Sequence, residues 1–258
     1  MAAPKEKSTV VTGLVLDFET GGRKCQDCAV TQISVHAIRL DNFEVIGKFN
    51  KYIYPYQYQD ISSKPKLKRP KSKYDIEEDA QQMKYEDEAL EYSHITMDML
   101  YNYGENLKSV SLEFIEFCKS CTFNVKQNCK PIIIGQNILF DLGFLQQMLV
   151  YSGLWKEFTK IVRGSTDFWG NFQPSYIDTI TLAQLAMSHE PGVTSWALGN
   201  LCEILGIDLN DAHNADADVT ATFEVLKVLT SRMRNEADGG SSTFVETKKE
   251  KTRDHFKI

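Results

Sequence analysis

The alternation of apolar and polar positions changes period several times along the chain, and these changes lay out the elements. Val10, Val11 and residues 14–16 form an aliphatic run without alternation, which predicts a strand buried on both faces and running to about Asp17. Residues 21–24 read as a turn, and residues 30–40 alternate well enough to predict a second strand. Asp41 and Asn42 make a tight turn into a third strand over residues 43–54, so the chain opens as an antiparallel meander. Further on, Leu107, Val110, Phe114, Phe117 and Cys121 recur at helical spacing and predict an amphipathic helix over residues 106–121. Residues 131–134 are a short β-branched run, hence another buried strand, and a helix starting near Asp141 carries Leu142, Leu145, Met148 and Leu149. Residues 155–176 give no clear period. Residues 177–179 border a strand, and residues 180–188 suit a helix. Trp196, Leu198, Leu201, Cys202 and Leu205 mark another helix, closed by Gly206, and Val219, Phe223, Leu226 and Leu229 line the last one. Strands first, then strand alternating with helix, predict an α/β domain with a mixed sheet.

Two segments depart from the pattern. Residues 56–91 are basic in their first half and acidic in their second, with few aliphatics to bury, which predicts a surface insertion within a domain spanning residues 9–234. Its lysines could touch phosphates, but a solvated, self-neutralising loop is the simpler reading. Residues 235–258 are polar, charged and aperiodic, the composition of a disordered tail.

Composition narrows the classes. A net charge of −6 from 29 basic and 35 acidic residues speaks against a passive nucleic-acid binder, though not against an enzyme whose metal-binding carboxylates enter that count. No apolar run approaches a membrane span and the first residues lack a signal-peptide core, so the expectation is a cytoplasmic or nucleoid-associated protein without membrane contact. The six cysteines are then expected as free thiols. Cys25 and Cys28, and Cys118 and Cys121, form two CxxC pairs, but their separation far exceeds that of ordinary zinc modules.

The chemistry concentrates in three places. Asp17 and Glu19 lie two apart at the end of the first strand, so both carboxylates face one side while Phe18 faces the other. Like charges so placed repel unless a cation lies between them, and a hard divalent ion prefers carboxylate oxygens. Asp141 falls in the first turn of a helix after the 131–134 strand, where the helix dipole or a cap would suffice to explain it. Asp216 and Asp218 also open a helix, but His213 stands five residues before Asp218, placed to overhang a site that Asp218 helps to form. Imidazole titrates near neutrality and can take a proton from an attacking water.

Asp17-Phe18-Glu19-Thr20, residues 137–141 and residues 213–218 resemble, in this order, the three motifs of the DEDDh family of 3′–5′ exonucleases, to which the proofreading epsilon subunit of bacterial DNA polymerase III belongs. Ser93-His94-Ile95-Thr96 is similar to the family's His-Gly-Ile-Thr segment but lacks its glycine, and residues 176–179 and 198–207 resemble two further family segments. The resemblance implies a ribonuclease-H-like fold and a two-metal phosphodiesterase using Mg²⁺ or Mn²⁺. It implies Asp17, Glu19, Asp141 and Asp218 as the metal-site carboxylates, Asp17 bridging two ions, and His213 as general base. Phe18, Thr20, His94 and Asn137 are implied near the substrate, and Asp178 as structural. The implied substrate is the 3′ end of single-stranded or frayed DNA, with nucleoside 5′-monophosphates released and a polymerase or other replication or repair protein as possible partner. The same constellation serves an exoribonuclease, and a non-catalytic nucleic-acid-binding or polymerase-associated subunit is the reading from another class. Gln136 departs from the His that many members carry there, and the 56–91 insertion from their shorter connection.

Overall fold

In the computed structural model the described residues are 10–60, 81–190, 193–209 and 214–238, the last four by their backbone only. The chain opens with β1 (Thr12–Thr20), β2 (Val30–Arg39) and β3 (Val45–Tyr52) as an antiparallel meander. Three helices follow, α1 (Asp87–Tyr92), α2 (Met97–Tyr103) and α3 (Leu107–Ser120). The chain then re-enters the sheet as β4 (Ile132–Gly135), leaves through α4 (Ile138–Tyr151) and α5 (Trp155–Ile161), and makes a hairpin, β5 (Gly164–Thr166) with β6 (Phe172–Pro174). It returns once more as β7 (Tyr176–Asp178), followed by α6 (Thr179–Met187), α7 (Leu198–Leu205) and α8 (Ala215–Asp238). The sheet order is β3-β2-β1-β4-β7; β4 and β7 pair in parallel, and β2 alone runs against the other four. This is the α/β domain with a mixed sheet that the element order predicts, and it forms a single unit.

The apolar run of β1 belongs in the middle of such a sheet because it is needed on both faces. Leu14, Leu16 and Phe18 pack with Phe114, Phe144, Leu145 and Phe158 under α3, α4 and α5. Val15 turns to the other side and packs with Ile38, Ile134, Val219, Phe223 and Leu226 beneath α8. The outer face of α8 is held by α6 and α7 through Ala183, Met187, Leu201, Cys202, Val225 and Leu229. β4 lies so close to β1 that a side chain at Gly135 would press on Ile138 and come within 3.0 Å of the Leu16 carbonyl. Glycine at the end of that strand avoids both contacts, and the turn into α4 begins there. Gly206 closes α7 with a φ of 69°, as its position predicts.

Several expectations change. Residues 155–176, which show no period, are α5 and a hairpin of three-residue strands, too short for alternation to register. The 56–91 insertion is not a simple surface loop at its two ends. Backbone bridges join Gln57 to Gln82 and Cys28 to Lys84, Met83 is buried, and α1 forms in the acidic half. The Tyr56 hydroxyl accepts the Val30 N–H at 2.7 Å and donates to Gln147 Oε1 at 2.7 Å, while the Gln147 amide donates to the carbonyls of Cys25 and Cys28. The basic stretch of residues 64–73 lies outside the described residues. The last helix runs to Asp238, four residues into the expected tail, and the rest of that tail lies outside the described residues. All six cysteines are free thiols. Among the described residues, no helix is long and apolar enough to cross a membrane.

Tyr56→Phe removes the acceptor of a strand N–H and the donor to Gln147, two bonds in a region that excludes water. The variant is expected to lose about 1–3 kcal/mol of unfolding free energy in urea denaturation, with an unchanged denaturant slope.

Candidate active site

The site lies at the end of the sheet where β1, β4 and β7 finish and α4 and α8 start. α8 runs in the direction of β2 and opposite to β1, which carries its N-terminus to the downstream end of β1. Ser34 bonds Asp216 near the start of the helix, and Arg234 donates to the Leu40 carbonyl near its end. Asn214 caps the helix, its Oδ1 accepting the Asp216 N–H at 3.0 Å and its carbonyl the Asp218 N–H at 2.9 Å. Asp17, Glu19 and Asp218 then offer carboxylate oxygens that all lie within 4.8 Å of one another, the one grouping of three metal-type ligands among the described residues. The CxxC cysteines form no such group there, in keeping with free thiols.

Asp141 joins from the opposite side of the sheet. It is almost fully buried in the first turn of α4, and it accepts the backbone N–H of Phe18 at 3.0 Å. Its carboxylate thus reaches across to the strand between Asp17 and Glu19. The turn before it is built by Asn137, whose left-handed φ of 53° sharpens the entry to α4, and by Asp178. Asp178 Oδ1 accepts both the Asn137 N–H at 3.2 Å and the Ile180 N–H at 2.9 Å, tying the strand-to-helix turns after β4 and β7 together. Gln136 donates to the Trp196 carbonyl at 2.7 Å and accepts from the Thr179 hydroxyl. The residue that departs from the resembled pattern thus anchors the segment leading into α7.

Four carboxylates so close cannot all ionise by themselves. Burial, then the charges of Asp141, Glu19 and Asp218, push Asp17 well above the ordinary carboxylate range. Burial, with Asp218 and Asp141 beside it, pushes Glu19 up to about 8. Burial likewise raises Asp141 to about 8, although the Phe18 N–H favours its ionised form. A group of acids that desolvation and mutual repulsion keep protonated is a site whose donor set fits a hard divalent cation, which would supply the missing charge.

The carboxylates form the floor of a cleft of about 1020 Å³. Phe18, Thr20 and Asn137 line it. Arg23, Tyr92, Phe140 and the start of α7 (Ala197, Leu198 and Gly199) line it too, none of them expected from the sequence to face the cleft. Their only signal was proximity to a motif, which does not tell a lining residue from a surface one. His94 is not among the lining residues. It is exposed, with a left-handed φ of 55°, the backbone form that glycine takes readily and that the resembled segment meets with its glycine. His213 lies outside the described residues.

Residues 61–226 match the RNase T exonuclease family; the matched span contains Asp141 and Asp218 and begins downstream of Asp17 and Glu19. DNA polymerase III PolC-type of Clostridium perfringens is 23% identical over 225 residues, covering 87% of this chain and 12% of the polymerase. A ribonuclease T of Shewanella frigidimarina is 30% identical over 108 residues, 41% of this chain and 40% of that protein. Another, from Shewanella baltica, is 24% identical over 229 residues, 86% of this chain and 82% of the relative. Among solved structures, E. coli exonuclease I in complex with a dT13 oligonucleotide superposes with a TM-score of 0.60 at 20% identity, over 89% of this chain and 43% of that one. The fold is thus the ribonuclease-H-like exonuclease fold. The chain spans less than half the length of exonuclease I and a small fraction of the polymerase.

The raised carboxyls fix how stability depends on pH. The folded protein holds these protons more tightly than the unfolded chain, whose carboxyls keep the ordinary 3.8 and 4.5. Without metal, the resulting stability is complete below about pH 4 and is lost as pH rises through about 8. In EDTA the melting temperature is therefore expected to fall between about pH 5 and about pH 9. Mn²⁺ should raise it most at the alkaline end, and Asp17→Asn should flatten the EDTA profile. Melting curves across that range check all three.

Proposed function

The chain belongs to the RNase T exonuclease family, and on that premise we propose that it is a DEDDh-type 3′–5′ exonuclease that removes nucleoside 5′-monophosphates from the 3′ end of DNA. The observation that carries this reading is the convergence of Asp17, Glu19 and Asp218 within 4.8 Å, with Asp141 locked beside them on the Phe18 amide. A convergence of this kind has no use in a binding module, where carboxylates crowded together would repel one another and a phosphate backbone.

In this reading Asp17, Glu19 and Asp218 would hold one divalent cation, Mg²⁺ or Mn²⁺, and Asp17 and Asp141 would help to hold a second. Two such ions, when bound, lower the pKa of the attacking water and stabilise the attacking and leaving oxygens. The chain's own residues do the rest. The backbone from Phe18 to Thr20 seats the terminal nucleotide against the carboxylates, with Asn137 at the turn facing it. Tyr92 and Phe140 offer aromatic faces for bases, and Arg23 a charge for a backbone phosphate. His213, five residues ahead of Asp218, takes the proton of the attacking water.

The second reading, a 3′–5′ exoribonuclease, draws on the relatives named ribonuclease T, of which one aligns over 82% of its length. The DNA reading draws on the likeness to exonuclease I, solved with a dT13 oligonucleotide. Selection between them rests on contacts to the 2′-OH within the cleft. A polymerase or another replication or repair protein is the proposed partner, since one relative is itself a polymerase and one exonuclease I structure is a complex with SSB-Ct.

Digestion of matched 5′-labelled single-stranded DNA and RNA with Mg²⁺, Mn²⁺ or EDTA tests the proposal. Metal-dependent shortening from the 3′ end is expected, with the faster substrate choosing between the readings, and Asp17→Ala should abolish it. His213→Ala should cost on the order of 10²- to 10⁴-fold in rate while metal binding stays near normal. Failure to shorten either substrate or a paired duplex, in folded protein, would leave the binding-subunit reading.

A further inference from the structure

β2 is an inner strand with an unusual face. Its residues Ile33, Val35 and Ala37 enter the main core, whereas the alternate positions Gln32, Ser34 and His36 are polar, and all three are almost completely buried. Buried polar side chains need partners. Gln32 donates to Asn50 Oδ1 at 2.9 Å. Ser34 and His36 converge on a single atom instead: Ser34 Oγ donates to Asp216 Oδ1 at 3.1 Å, and His36 Nε2 lies 3.1 Å from the same oxygen. A carboxylate oxygen accepts, so the His36 Nε2–H is the donor of this bond.

Asp216 does nothing else that would require this. The cap of α8 is Asn214, and the Asp216 carbonyl already accepts from Thr220 Oγ at 2.8 Å. Asp216 is itself partly exposed, as an acid serving the helix dipole would be, but the dipole gives no reason for a buried serine and a buried histidine to converge on it. The position of the pair explains it better. Two residues after Asp216 comes Asp218, whose carboxylate must meet Asp17 and Glu19 on the neighbouring strand. The apolar contacts of Val219, Phe223 and Leu226 set the distance of α8 from the sheet but give little control over sliding or rotation, and the Arg234 bond to the Leu40 carbonyl lies at the far end of the helix from the site. Directional bonds from β2 to the first turn supply that control, and a site of this kind needs its ligands within about 0.5 Å of the productive geometry.

We propose that Ser34 and His36 are positioning residues: through Asp216 they fix the register of the first turn of α8 on the sheet and so hold Asp218 at the distance from Asp17 and Glu19 that a divalent cation requires. The inference rests on the reading of Asp218 as a cation ligand.

The test is Mn²⁺ binding to the full chain without nucleic acid, by titration calorimetry, set beside melting temperatures in EDTA. His36→Leu and Asp216→Ala are expected to weaken Mn²⁺ binding roughly 10- to 100-fold. His36→Gln, which keeps an N–H donor, should bind close to the wild type. His36→Leu exchanges a buried polar ring for an apolar side chain, so its melting temperature in EDTA should hold or rise while its affinity falls. A purely structural histidine would not separate the two. Ser34→Ala, the smallest change, should give a few-fold loss and covers the case in which a larger substitution fails to fold. Asp218→Asn is the control. Loss of binding in Asp218→Asn with wild-type affinity in His36→Leu, Asp216→Ala and Ser34→Ala would overturn the positioning role alone. Wild-type affinity in Asp218→Asn would overturn the ligand reading, and this inference with it.

Discussion

Repulsion among four carboxylates at one end of β1 is the constraint on which the rest of the arrangement turns. Burial and mutual charge push Glu19 and Asp141 up to about 8, so the apoprotein carries protons that an ordinary surface would have released. The scaffold has to hold these groups together against that repulsion, and a flexible loop could not. Each acid instead comes from a strand end or the first turn of a helix. Asp17 and Glu19 share a face of the central strand, while Asp141 and Asp218 come from helices on opposite faces of the sheet. The N-terminal turns of α4 and α8 add their partial positive charge.

Much of the architecture serves that end of the sheet. Gly135 lets β4 come close enough to β1 for α4 to deliver Asp141 to the Phe18 amide. Asp178 knits the turns after β4 and β7, and Gln136 secures the wall of the cleft that leads into α7. The reversal of β2 provides a second strand beside β1 on which α8 can be pinned, by Asp216 at its start and by Arg234 at its end. There the Arg234 guanidinium donates to the Leu40 carbonyl and sits 4.9 Å from the centre of the Phe43 ring. The polar face of β2 and the acidic start of α8 therefore form one device.

The flanking segments show how composition can mislead about packing. Residues 56–91 have few aliphatics, yet a tyrosine hydroxyl, a buried methionine and a backbone bridge from Lys84 to Cys28 tie their ends into the domain. Aromatic side chains with a polar tip can bury their rings and still satisfy a strand amide, which a count of aliphatic residues cannot register.

From the sequence alone, the long elements could be read because each carries an unambiguous period or an unbroken apolar run: the meander, α3, α4 and α8. The carboxylates Asp17, Glu19, Asp141 and Asp218 could be read because their spacing and order match a known pattern, and because a strand's alternation dictates that Asp17 and Glu19 share a face. The short strands β5 and β6 and the ends of the insertion could not, since three residues hold no period and a bridge to a distant strand leaves no local mark. Only the tertiary structure decided that Asp141 bonds the Phe18 amide on the neighbouring strand. It also took His94 away from the cleft lining and brought Tyr92, Phe140 and Arg23 to it. The buried His36 on β2 likewise became intelligible only when folding set it against Asp216, 180 positions along the chain. Local spacing fixes which way a side chain leaves its own strand or helix, whereas what it meets there depends on how distant segments pack.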